Sequence, residues 1–127
     1  MAKITLGNRP TEFKHTVKFQ MLDGTNASIQ VKYKYITRQE AAKLQDELRA
    51  KAKARVGDVS DDKTLSELIQ MADESNVDGL MGFVLGWDLD EPFTRENVEK
   101  LCNEFPAAAE AMRDSYWGAV LNGRLGN

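Results

Sequence analysis

The chain has 127 residues, with 20 acidic and 17 basic side chains and a net charge of −3. That length suits one domain, able to bury roughly two thirds of its unfolded surface without staples. Hydrophobic residues at 42% and charged ones at 29% exclude wholesale disorder. The near balance of charge excludes a global pull toward nucleic acid or anionic lipid, and a single cysteine, Cys102, excludes an internal disulfide.

The first residues lack the apolar run of a signal peptide, and the longest apolar stretch, Gly79 to Trp87, is too short to span a bilayer. The chain is therefore expected in the cytoplasm, with no membrane partner.

Residues 1–11, with Gly7, Asn8 and Pro10, read as a flexible lead-in. Period-two alternation then begins. Phe13, His15, Val17, Phe19 and Met21 share one face; Ala27, Ile29, Val31, Tyr33 and Tyr35 resume it after Asp23-Gly24-Thr25-Asn26. Asp-Gly supplies the positive φ of a tight connection, so the two runs predict a β-hairpin. An isolated hairpin is only marginally stable, and its apolar face requires a cover.

Helices follow. Thr37 with Glu40 forms a capping box for a helix from Arg38 to Arg55, stopped by Gly57, with a narrow stripe of Ala41, Leu44, Leu48 and Ala52. After the polar linker Asp58–Lys63, Asp62 is the expected cap of a second helix. Its inner face reads Leu65, Leu68, Ile69, Ala72, Val77, Leu80, Met81 and Val84. Gly79 and Gly82 predict a loosened or kinked end to it. Gly86 to Pro92 reads as a loop. Thr94 caps a third helix with Val98, Leu101, Cys102 and Phe105 inward, halted near Pro106. A fourth runs from Pro106 or Ala107 to about Leu121 with Ala108, Ala111, Met112, Ser115, Tyr116 and Ala119 inward, leaving residues 122–127 as a short tail. The fold expected for residues 1–127 is one α+β domain, an N-terminal β-hairpin packed against about four α-helices.

Chemistry is hard to place on this chain. The one histidine, His15, sits on the apolar face of the first strand, and Cys102 on a helical inner face, where it reads as a small hydrophobe. One His and one Cys cannot assemble a zinc site. Asp58-Asp61-Asp62 and Asp88-Asp90-Glu91 lack the alternating ligands, central Gly and distal Glu of a calcium loop, and read as helix caps or loop solvation. No glycine-rich phosphate loop occurs. No catalytic residue, cofactor or metal is expected. Lys14, Lys18, Lys32 and Lys34 share the polar face of the hairpin, which supports an alternative reading as a small nucleic-acid-binding regulator. Base stacking would need aromatics beside those lysines, and alternation puts Tyr33 and Tyr35 on the reverse face. Lysines on an exposed strand also guard against edge-to-edge pairing.

The segment from Gly86 onward carries more. It runs Gly86-Trp87-Asp88, an acidic loop, Pro92-Phe93-Thr94 opening a helix with Asn97 and Leu101, Phe105-Pro106, then a helix ending Tyr116-Trp117 and Leu121. In order and spacing this resembles the tail assembly chaperones of long-tailed bacteriophages, and with the hairpin and the Thr37-capped helix the likeness spans residues 12–127. The chain departs from that pattern in carrying Gly79 and Gly82 inside the second helix. The resemblance implies a non-enzymatic, non-virion protein of the host cytoplasm. It would bind the tape measure protein and keep it soluble while tail tube protein polymerises around it, with possible self-association and no nucleic acid. A head–tail component retained in the virion is a further alternative. Large aromatics dominate protein interfaces, so Trp87, Phe93, Tyr116 and Trp117 are the candidate contact residues, with Trp117 expected to face outward.

Overall fold

The computed structural model describes residues 3–57 and 62–125. Alternation produces the hairpin as expected: β1 (Glu12–Gln20) pairs antiparallel with β2 (Asn26–Lys34), Val17 opposite Ile29 and His15 opposite Val31. The connection turns at Gly24, whose φ of 88° few side chains tolerate. The Asp23 carboxylate steadies it by accepting from the Thr25 amide at 2.9 Å and the Thr25 hydroxyl at 2.6 Å. Tyr35 lies just past β2 and is 36% exposed, so it does not extend the inward face as expected.

Helix α1 (Arg38–Val56) starts at the capping box of Thr37 and Glu40 and stops at Gly57. Its narrow stripe buries only Ala41 fully. Helix α2 (Leu65–Phe83) departs from expectation in three ways. Its cap is Thr64, in a second capping box with Glu67, and not Asp62. It runs unbroken through Gly79 and Gly82 to Phe83, because both glycines adopt ordinary helical geometry inside the hydrogen-bonded ladder. And only its second half meets the core: Leu65, Leu68 and Ile69 are 73%, 47% and 51% exposed, and Ala72 is exposed as well. Of the acidic linker, residues 58–61 lie outside the described region.

At Val84 the backbone swings directly from helix to strand (φ −93°, ψ 134°). This opens β3 (Val84–Trp87), where a loop from Gly86 was expected. It pairs antiparallel with β2, giving a three-stranded sheet in the order β1-β2-β3, with a bulge opposite Lys32 and Tyr33. Asp88 prolongs the ladder with its side chain: its amide donates to the Gln30 carbonyl at 3.1 Å, and its carboxylate accepts from the Gln30 amide at 2.9 Å. Thr94 caps α3 (Arg95–Glu104), which buries Val98, Leu101 and Cys102 as predicted. Phe105 forms the break between helices and is 41% exposed, not inward. Pro106 then occupies the first turn of α4 (Pro106–Asn122), where its missing N–H costs nothing. The buried face of α4 is Ala108, Ala109, Met112, Ser115, Tyr116 and Val120; Ala111 and Ala119 lie at its margin.

These elements make an α+β fold with one face of the sheet covered by helix. Helix α4 lies against β1, and α2 packs on α1, α3 and α4. Val17, Val31, Tyr33, Phe83, Met112 and Tyr116, all 0–1% exposed, fill the space between. Phe83 stacks on Tyr116 with centroids 4.1 Å apart and rings 2° from parallel. The Tyr33 hydroxyl donates to the Met112 carbonyl at 2.8 Å, so the ring is buried with its polar tip satisfied.

Candidate protein-binding surface

The four aromatic side chains singled out in the sequence form two separate pairs. Trp87 ends β3 and Phe93 precedes α3, and their rings meet edge to face with centroids 5.1 Å apart. The Trp87 indole N–H donates to the Glu91 carbonyl at 2.8 Å, which closes the Asp88–Glu91 turn over the ring. Both rings pack half-buried against the core. Tyr116 and Trp117 are neighbours on α4. Tyr116 is 0% exposed and donates its hydroxyl to the Lys34 carbonyl at 3.0 Å, and burial pushes that hydroxyl well above its ordinary titration range. It offers no surface to a partner, contrary to expectation; stacked on Phe83, it belongs to the core. Trp117 is half-buried rather than outward-facing. Its ring stands edge-on to Phe83 and Tyr116, each at 5.3 Å, and keeps part of its surface in water.

A larger feature lies elsewhere, where the alternation of β1 and the periodicity of α4 leave a gap. Strand β1 is an edge of the sheet, hydrogen-bonded on one side to β2. Between it and α4 runs an open groove of about 1320 Å³. Phe13, Phe19 and Ile36 line one side; Ala107, Ala111 and Gly118 keep the α4 side low, so that another chain can approach the helix closely. Gly118 has a second reason to be small: a Cβ there would stand 3.3 Å from the Arg124 carbonyl, where the chain folds back over the helix end. Lys18, Arg38 and Arg124 also line the groove, with Glu110 and Asp114, so charges of both signs face it. Apolar walls with charges of both signs suit reversible contact with an amphipathic chain.

The strongest local electrostatics belong to Asp78, on α2, whose side chain is 6% exposed. It receives Arg55 of α1 at 2.6 Å and Arg95 of α3 at 2.8 Å. Burial opposes its ionisation, but the two arginine hydrogen bonds outweigh that and hold the carboxyl below the usual range. Arg55 also reaches Glu74 at 2.9 Å and Ser75 at 2.8 Å. The cluster pins three helices. Sequence reasoning missed it because the partners stand 23 and 17 residues from Asp78, beyond any helical spacing.

The remaining candidates for chemistry are scattered. Burial, with Asp73 nearby, pushes the Cys102 thiol up to about 11, so it stays protonated. The His15 Nε2 is buried and unpartnered among the described residues, with neither acid nor nucleophile in hydrogen-bond contact. Among those residues no three His, Cys, Asp or Glu side chains gather as a metal site, and no helix is long and apolar enough to cross a membrane. The lysines do share the outer hairpin face, Lys14 directly opposite Lys32. Glu12 pairs with Lys32 at 3.4 Å, and Tyr33 is buried on the reverse side.

A family model described as phage tail assembly chaperone matches the chain over residues 1–127. No curated protein and no solved structure matches it.

Proposed function

The chain belongs to the phage tail assembly chaperone family, and from that membership we propose that it binds the tape measure protein and holds it soluble in the host cytoplasm while tail tube protein polymerises around it. The family implies partners among tail proteins and a role other than catalysis. The observation that supports a holding function is the open groove between β1 and α4, whose apolar walls and mixed charges fit a long amphipathic client. Trp87, Phe93 and Trp117 are half-buried with some exposed surface outside the groove, and on this reading they add aromatic contact to the client. Reversibility follows from the same features: an open groove with charges of both signs suits contact that the growing tube can displace.

Co-expression with the tape measure protein tests the proposal. The chain should keep that protein in the soluble fraction and co-purify with it. Ala111→Glu, which places a charge in the groove, should abolish both while leaving the melting temperature nearly unchanged. Purified virions should lack the chain by mass spectrometry. Its presence there in stoichiometric amount would make it a structural component instead.

A further inference from the structure

The first two turns of α2 present an apolar face that none of the described residues covers. Leu65, Leu68, Ile69 and Ala72 recur at the three- and four-residue steps that put them on one side of a helix. All four are exposed among the described residues. The reason lies in where the neighbouring helix ends. Arg55, in the last turn of α1, meets α2 at Glu74, Ser75 and Asp78, so α1 is spent before it reaches Ala72. The Thr64 and Glu67 capping box nevertheless holds those turns helical. A rigid, pre-formed apolar helix face is thus offered to water, where its burial by a partner would be favourable.

The charges around it select the partner. Asp73 lies on α2 beside the stripe, next to Ala72, and Glu99 of α3 stands on the far wall of a shallow groove of about 510 Å³ that includes Ile69 and Asp73. The groove's one basic side chain, Arg95, is already bound to Asp78 at 2.8 Å and Glu99 at 3.5 Å. Asp73 has no ion-pair partner among the described residues. Two copies of this face brought together would crowd the Asp73 and Glu99 carboxylates of both, with no free cation among the described residues to separate them, which is costly.

We propose that this face is a second docking site, and that its occupant is a basic amphipathic helix of the client: an aliphatic stripe against Leu65, Leu68 and Ile69, flanked by Lys or Arg opposite Asp73 and Glu99. The assignment of that helix to the client rests on the holding function proposed above; the site and its chemistry do not.

The test uses the whole chain labelled with nitrogen-15 and two synthetic helical peptides of equal length, one built from Leu and Lys, the other from Leu and Glu. Amide shifts on adding the Leu/Lys peptide should map to residues 65–73, with smaller ones at Glu99 and Asn103. The Leu/Glu peptide should bind at least about tenfold more weakly. Leu68→Ser with Ile69→Ser should lose about tenfold or more in affinity for the Leu/Lys peptide, with unchanged circular dichroism since both side chains are exposed. Shifts confined to the β1–α4 groove, equal binding of both peptides, or a dimer that the double variant disrupts would each overturn the proposal. Capture of the tape measure protein separates the two readings. If wild type captures it and the double variant does so equally well, this site is not the client's. If wild type captures none, the holding function falls while the peptide map still decides the site.

Discussion

Replacing Asp78 by Asn tests whether the three-helix ion cluster stabilises the fold. The amide keeps the size of the side chain but removes its charge and aims an N–H₂ donor at arginine donors. Breaking a fully buried ion pair from one side costs about 3–5 kcal/mol. Here the arginine side chains are 22% and 53% exposed, and Arg55 retains Glu74 and Ser75, so the expected loss is lower, ~2–3 kcal/mol. At ~2.1 cal/mol/K per residue, the 127 residues give an unfolding entropy near 0.27 kcal/mol/K. The melting temperature should therefore fall by ~7–11 °C. The pH dependence is diagnostic. Because the Asp78 carboxyl titrates lower in the folded chain than in the unfolded one, its contribution is complete above the unfolded value of about 3.9. It disappears as pH falls through the lower, folded value. Urea unfolding of wild type and Asp78→Asn at a series of pH values should show a constant gap at neutral pH that closes in acid. A gap below ~0.5 kcal/mol at pH 7, far short of a charged hydrogen bond, would refute the reasoning, as would one of equal size in strong acid.

Val31→Asp places a charge at a core position 1% exposed. It should cost several kcal/mol out of a total of about 5–15, visible as loss of cooperative melting by circular dichroism. Gly82→Ala should stabilise α2 by ~0.5–1 kcal/mol, since a Cβ there meets nothing within 4 Å and the backbone is helical; urea midpoints would show it. Cys102, buried and with its thiol pushed up to about 11, should not react with a thiol-specific disulfide reagent at pH 8. Addition of denaturant should release one equivalent.

The period-two runs from Phe13 to Tyr33, the capping box at Thr37 and the Thr94 cap were legible because each signal and its consequence lie within a few residues. So was the family, read from the order of residues between Gly86 and Trp117 and shown by the family match over the whole chain. Periodicity located the apolar stripe of α2, but periodicity says only that Leu65, Leu68, Ile69 and Ala72 share a side. Whether that side is covered depends on where α1 stops in space, and Arg55 against Glu74 and Asp78 decides it. Strand β3 escaped notice for a related reason: four residues containing a glycine show no alternation, and they become a strand because β2 has a free edge beside them. Periodicity set Tyr116 inward and Trp117 outward, but Phe83, stacked on Tyr116, also meets the Trp117 ring edge-on and leaves it half-buried. Local hydrogen bonding and alternation act between near neighbours and are written in the sequence. Burial and exposure depend on which distant segment arrives, and that the packed chain alone determines.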